Sequence, residues 1–360
     1  MDRRKRLKRA LPWILAGVLA LLSALCFLMI HLRTAPQSSQ QAAQRWKGES
    51  ETDFVQLSCF VPVDERRSLE DIYKFRQQIQ TKLHEAALDI QSDEQLWVDA
   101  WSTTGRVAAQ TELGKGEARV IAVGGEFFQF HPLHLLSGNY ISEGDLMQDR
   151  VLLDEDLAWQ LFGGTQLQGL ELKLNGVPFV VAGVVEREQD AFSRRAYTAG
   201  AGLFMSYDAY KQLEEKAGID CYELVMAEPV RGFARSFVRE KFPLGRGEVV
   251  QNTGRFTLSR LWDVVAHLST RSMQTLGVVY PYWENAARGA EDSCALLMLL
   301  GIALALYPLG LLIVRGWKLL RQGGEKLSEE VLPGVAERAG EAVRKRQRRA
   351  WERKHGKHEM

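Results

Sequence analysis

Two stretches of the chain contain no charged side chain: residues 13–30, 18 positions, and residues 294–314, 21 positions. At ~1.5 Å per helical residue they extend about 27 to 32 Å, matching the hydrocarbon core of a bilayer. Both read as transmembrane helices. The first also follows a basic segment like that of a secretory signal. Its apolar run, however, exceeds the roughly 7 to 15 residues of a signal core. The next residues, His31-Leu-Arg-Thr-Ala-Pro, offer no small-x-small cleavage site, so an uncleaved anchor is the favoured reading.

Between these stretches the pattern is that of a folded domain. Residues 33–52 are rich in Gln, Ser and Ala without an apolar period, as in a tether. From 53 to 285 the roughly 235 residues suffice for one substantial core or for two lobes. A strand is predicted at 55–61. Ser68 then opens a helix, with Asp71 in the place of the Glu of a capping box. Leu69, Ile72, Ile79, Leu83, Ala86 and Ile90 recur near a 3.6 period, giving an amphipathic helix of about six turns. Short strands follow at 96–102, 106–111 and 118–123. Asp154 caps a helix at 155–162 that Gly163-Gly164 stops. An Asn175-Gly176 turn joins strands 170–174 and 179–185 into a hairpin. Later elements are strands 202–205, 221–226 and 247–251 and helices 207–216 and 232–241. Strands and helices mix without regular βαβ alternation, so the expected class is α+β: a mixed sheet with packed helices, flanked by two transmembrane helices.

Charge changes this picture more than composition does. With 46 basic and 45 acidic residues and 46% apolar content, the chain looks like an ordinary soluble protein, and disorder or a disulfide scaffold is excluded. Yet residues 1–10 hold six basic and one acidic residue, and 315–360 hold thirteen and seven, leaving the remainder acidic. Basic residues flanking apolar spans stay inside. Both termini are therefore expected in the cytoplasm and 33–293 outside. The resulting layout is a basic N-terminus (1–10), transmembrane helix (11–32), tether (33–52), core domain (53–285), stalk with second transmembrane helix (286–314) and basic tail (315–360). Arg344, Lys345, Arg346, Arg348, Arg349, Arg353 and Lys354 fall on a helix expected from near Pro333, and attraction to membrane lipid is its physical expectation. Nucleic-acid binding is not expected of so short a tethered stretch.

Reactive chemistry is sparse. Gly114-Lys115-Gly116 lacks the remainder of a phosphate-binding loop, and no serine, cysteine or metalloprotease motif occurs. His131 and His134, like His355 and His358, lie close in sequence, but zinc needs three or four ligands, so no metal or cofactor is expected. Cys26 and Cys294 belong to the apolar runs. Cys59 and Cys221 lie in predicted outer strands, where a disulfide or two free thiols both remain open. Glu186, Glu188 and Asp190 read as a solvated face. Tyr307-Pro308, with Gly301 and Gly310, is either tolerated within a membrane helix or a packing surface for a partner.

The strings GGEFFQFHPLHLLSGNYISEGD, VLLDEDLAWQLFGG and LNGVPFVVAGVVE, in this order, resemble the extracytoplasmic (periplasmic) core domain of MacB-type ABC transporter permeases. The resemblance is carried by the aromatic pair Phe127-Phe128, the turn from Leu135 to Gly138 and the acid Asp145. It continues through the helix end at Leu161-Phe162-Gly163, Gly176 of the hairpin turn, and Gly183. Asn139 stands where the family has Arg. These side chains are apolar anchors and turn formers, with no reactive group among the matched apolar and glycine positions. The resemblance implies a mechanical role: an ATPase drives the membrane helices and the outer domain transmits the motion. A MacB-type permease has three helices after the core domain, whereas one apolar run follows here and the FtsX-like three-helix bundle is not expected. The expectation is a non-enzymatic membrane component or accessory of an ABC-type export or mechanotransmission complex, with a separate ABC ATPase and a full-length permease as partners. The alternative is a membrane-anchored envelope binding or scaffold protein without ATP coupling.

Overall fold

The computed structural model describes residues 2–85, 95–142, 144–145, 147–197, 200–268, 280–326 and 332–355. The chain divides into two compact units, one of residues 29–298 and one of 1–28 with 299–360. It begins with α1 (Asp2–Thr34), a 3₁₀ turn (Ser38–Gln40), α2 (Ala42–Lys47), β1 (Phe54–Phe60) and α3 (Leu69–Glu85). Next come β2 (Trp97–Gln110), β3 (Lys115–Gly125), α4 (Phe127–Phe130), β4 (Leu135–Gly138), β5 (Arg150–Asp154), α5 (Glu155–Phe162), β6 (Glu171–Leu174) and β7 (Val177–Val185). The remainder is α6 (Ala191–Ala196), β8 (Gly202–Ser206), α7 (Tyr207–Leu213), β9 (Cys221–Ala227), α8 (Phe233–Lys241), β10 (Glu248–Gln251), α9 (Leu258–Ala266), α10 (Tyr282–Lys326) and α11 (Leu332–His355).

The strands form one sheet in the order β10-β1-β9-β2-β3-β8-β5-β7-β4, with β6 joining β2 and β7. The pairs β3/β8 and β5/β7 are parallel and the other pairs antiparallel, so the class is the mixed α+β arrangement expected. Two cores flank it rather than two lobes. One gathers Val55, Leu57 and Cys59 with Ile72, Phe75 and Ile79 of α3 and Phe237 of α8. The other gathers Phe54 and Phe60 with Phe127, Phe130, Tyr282 and Trp283. The strand period of two sends alternate residues of β1 to opposite cores.

Local signals are realised closely where a cap or turn dictates them. Asp71 N–H donates to Ser68 Oγ at 3.2 Å and Ser68 N–H to Asp71 Oδ2 at 3.0 Å, completing the reciprocal cap of α3. Of the stripe predicted for this helix, Ala86 and Ile90 lie outside the described residues. Asp154 Oδ1 accepts from Leu157 N–H at 2.8 Å, and Gly163, at φ 75°, ends α5. Asn175 and Gly176 turn the β6–β7 hairpin with positive φ at both residues.

Two expectations need correction, and one pair of open alternatives is narrowed. The strands expected at 96–102 and 106–111 are one 14-residue strand, β2. Gly105 marks close packing rather than a turn, since a Cβ there would meet Tyr210 Oη at 1.8 Å. The stretch read as a tether is folded: Gln37, Ser39, Gln40, Ala42 and Ala43 are all buried, extending the compact unit beyond 53–285. Finally, Cys59 pairs with Tyr222 and Phe60 with Cys221 across the β1/β9 ladder. Cys59 and Cys221 thus leave opposite faces of the sheet and are free buried thiols, not a disulfide.

Helices α1 and α10 each carry a stretch long and apolar enough to cross a membrane, Ala10–Thr34 and Tyr282–Gln322. Ser23 Oγ donates to Gly301 O at 2.8 Å, and a Cβ at Gly301 would lie 3.2 Å from Cys26 Cβ. Gly301 is therefore occupied within the chain, while Gly310 has nothing within 4 Å.

Candidate functional site

The second core is crossed by polar side chains that the strand alternation brings to one face. On β1, Gln56 and Ser58 lie between Phe54 and Phe60, and on β9 Glu223 lies between Cys221 and Val225. Gln56 holds the residues after α1: its Oε1 accepts from Ala42 N–H at 2.9 Å and its Nε2 donates to Ser39 O at 2.8 Å. The Ser58 hydroxyl lies 2.8 Å from Glu223 Oε1 and 3.0 Å from Asn252 Oδ1.

Glu223 also meets His131, the residue that closes α4. His131 Nε2 bonds Glu223 Oε2 and its Nδ1 lies 2.9 Å from Ser39 Oγ. The imidazole is sandwiched between Phe127 and Trp283, with ring centroids 4.5 and 4.2 Å away. By connectivity Ser39, His131 and Glu223 form a hydroxyl–imidazole–carboxylate relay. All three are nearly inaccessible, at 5%, 1% and 1% exposure, and the aromatic rings cover the imidazole. A substrate carbonyl has no path to Ser39 Oγ in this arrangement. What the relay does is join three segments distant in sequence.

The network continues through charge. Asn252 Nδ2 and Arg255 Nη1 both donate to Gln40 Oε1, at 2.7 and 3.0 Å. Arg255 forms a fork with Glu284 at 2.6 and 2.8 Å and reaches Glu291 Oε2 at 3.0 Å. Arg288 Nε donates to Glu284 Oε1 at 2.7 Å and its Nη2 to Glu248 Oε2 at 2.9 Å, with Tyr280 Oη donating to the same oxygen at 2.7 Å. Two buried guanidiniums thus face two buried carboxylates, Glu284 and Glu291, and the half-exposed Glu248 at the rim. Burial alone would lower the Arg255 pKa, but Glu284 and Glu291 outweigh it and raise it. Bidentate geometry and mutual compensation are what make such desolvated charges tolerable.

The residues singled out from sequence take structural places around this network. Phe127 is buried against His131, Phe204 and Trp283, and Phe128 stacks on Tyr140 at 4.6 Å. Leu135 and Gly138 bound β4. Gly138 has φ 75°, and a Cβ there would lie 2.1 Å from Ala182 O, while one at Gly183 would lie 2.4 Å from Ser137 O. Asp145 turns back on Ser142, its N–H donating to Ser142 O at 3.1 Å. Leu161 is buried and Phe162 packs at the edge of the first core. His134 is not beside His131 in the network; it lies exposed, 2.9 Å from Glu186. Glu188 accepts from Tyr197 Oη at 2.9 Å and Asp190 caps α6, so the acidic trio is partnered rather than a solvated face.

Gln40, Gln56, Ser58, Glu223, Asn252, Arg255, Glu284, Arg288 and Glu291 carry no motif. One signal was available: Glu284, Arg288 and Glu291 recur at spacings of four and three on a single helix face.

Among solved structures, the extracellular domain of the noncanonic ABC-type transporter YknZ from Gram-positive bacteria is similar at 14% identity and TM-score 0.36, covering 52% of this chain and 92% of that chain. The periplasmic region of MacB from Actinobacillus actinomycetemcomitans is similar at 15% identity and TM-score 0.38, covering 55% and 89%. A domain of a permease protein from Porphyromonas gingivalis has 12% identity and TM-score 0.32, covering 55% and 88%. No curated protein aligns with the chain. The profile of the MacB-like periplasmic core domain matches residues 31–230. An apolar helix lies on each side of that domain, so the chain is membrane-embedded with the domain outside. More than half of the sequence carries the profile, and the protein belongs to the MacB-like periplasmic core domain family.

Proposed function

We propose that the protein is a non-enzymatic membrane component or accessory of an ABC-type export or mechanotransmission complex, with both termini cytoplasmic and residues 33–293 extracytoplasmic. A separate ABC ATPase and a full-length permease are the partners this reading requires. One observation carries it: the segments continuous with the two apolar helices, 37–43 and 280–291, are fixed to the sheet by the same buried polar network. A displacement of either segment is thereby delivered to β1, β9 and β10 rather than absorbed by a loose linker. The basic residues flanking the apolar spans support the orientation. The enclosure of the Ser39–His131–Glu223 relay supports a role without catalysis.

Affinity purification from native membranes tests the assignment. Recovery of an ABC ATPase or a full-length permease is expected, and consistent recovery of neither contradicts it. The acidic balance of residues 11–314, with 27 basic and 37 acidic residues, favours the second reading, an envelope scaffold without ATP coupling. That reading predicts co-purification of envelope proteins without an ATPase.

A further inference from the structure

The tail helix α11 is the largest element left without a role. It is 24 residues long, about 36 Å, and carries eight Lys and Arg against three Glu. Within its described side chains every residue from 341 to 350 is exposed. At 3.6 residues per turn Ala339, Val343 and Ala350 share a stripe with Arg346 on its margin, and Trp351 stands beyond Gly340 and Gln347, about 80° round from Val343 and next to Arg344. Arg338, Arg344, Lys345, Arg348 and Arg349 occupy the rest of the circumference, opposed among the described side chains by Glu341. Val343 and Trp351 are 54% and 63% exposed.

A lone helix in water draws little stability from itself; most comes from burying an amphipathic face. The exposed surface here combines a narrow apolar stripe, an indole separated from it by Gly340 and Gln347, and guanidiniums whose stems can lie along an apolar surface while the heads stay in water. That chemistry fits a bilayer interface bearing phosphate. It fits a nucleic-acid groove less well, because an apolar stripe gains nothing there. The helix also belongs to the same compact unit as residues 10–28 and 299–322 of the apolar spans.

We propose that α11 is an interfacial helix that docks onto an anionic membrane leaflet, with Val343 and Trp351 in the headgroup–acyl boundary and the arginines and lysine on lipid phosphates. The inference is independent of any ABC partner.

The test uses the full chain in lipid nanodiscs, with an environment-sensitive fluorophore on Val343→Cys. The four natural cysteines are buried, so labelling is selective. In discs containing one-third phosphatidylglycerol, the emission shifts to the blue and a lipid-borne quencher suppresses it. In pure phosphatidylcholine, and in anionic discs at high salt, both effects fall away, because salt shortens the reach of the charges. Each basic residue near the surface is worth about fivefold in binding, so neutralising Arg344, Lys345, Arg348 and Arg349 to Gln reduces the docked-to-free ratio by roughly 600-fold. The salt titration of the label-bearing parent gives the same answer without those substitutions, should they unfold the helix. A label equally quenched in neutral and anionic discs, one in water in both, or one that shifts only when an acidic protein or nucleic acid is added would overturn the proposal.

Discussion

Along β1, Val55, Leu57 and Cys59 enter a core closed by α3 and α8, while Gln56 and Ser58 face the segments that continue into the apolar helices. The first face does hold buried acids, but in separate pairs: Asp99 with Arg76 and Tyr222, and Asp220 with Arg66 and Thr103. The second face holds a connected chain of bonds from Ser39 to Glu291. Apolar packing holds an element without fixing its register finely, whereas a bidentate ion pair is lost by a shift of an ångström. The polar face is therefore suited to transmitting position, and the apolar face to holding the fold.

The largest effects separate the two faces. Arg255→Met takes the shared guanidinium away from Glu284 and Glu291, leaving Glu284 to Arg288, and is expected to cost about 3–5 kcal/mol. Replacing Arg255, Glu284, Glu291 and the buried Arg288 that pairs with Glu284 together by apolar residues of similar size should restore most of the loss. Phe75→Ala, beneath Phe237, Phe242 and Tyr222 on the first face, is expected to cost about as much, 3–5 kcal/mol, through cavity formation. Denaturation midpoints measure both, and limited proteolysis between residues 35 and 52 distinguishes them. Cleavage there should rise with Arg255→Met more steeply than global stability falls, and Phe75→Ala should show no such excess.

A smaller effect appears in pH. Burial pushes Asp220 up to about 6 despite Arg66, and Asp154 likewise to about 6 despite its bonds to Leu157 and Gly202 N–H. Their folded pKa values lie above the unfolded aspartate value, so the folded state binds more protons in between. Stability from these groups is greatest below pH about 4 and falls as pH rises to about 6, by of order 2 kcal/mol each. Asp220→Asn mimics the protonated form and should therefore gain stability relative to the parent as pH rises across that window. A difference that is flat with pH, in urea midpoints measured at several values, rules this out.

The smallest effects lie in the family block. Gly163→Ala is expected to cost about 1 kcal/mol, because its left-handed backbone is strained by a Cβ that meets nothing. Gly138→Ala should cost clearly more, since its Cβ would also strike Ala182 O. Equal thermal shifts for the two would remove close approach as the reason for Gly138.

These contrasts also mark what a single sequence discloses. The ends of α5, the reciprocal cap at Ser68 and Asp71 and the Asn175-Gly176 hairpin depend on neighbours a few residues apart, and each was legible. The polar network was not, because it joins Ser39 to His131 and Gln40 to Arg255 across 92 and 215 positions. Polar residues between apolar ones on β1 look the same whether water or a buried partner faces them. For the same reason 33–52 read as a tether: Gln and Ser signal a loop unless something distant satisfies them. The Cys59–Cys221 alternative failed on parity, since a one-residue offset in the ladder reverses the face.

The claim that the polar face fixes the membrane-linked segments is tested most directly by hydrogen exchange on the full chain in nanodiscs. Residues 38–47 and 282–291 should be protected to nearly the level of β1 and β9, and Arg255→Met should release that protection while α3 and α8 keep theirs. Exchange of 38–47 at the rate of an unstructured peptide in the parent, or a uniform loss across the domain in Arg255→Met, would contradict it.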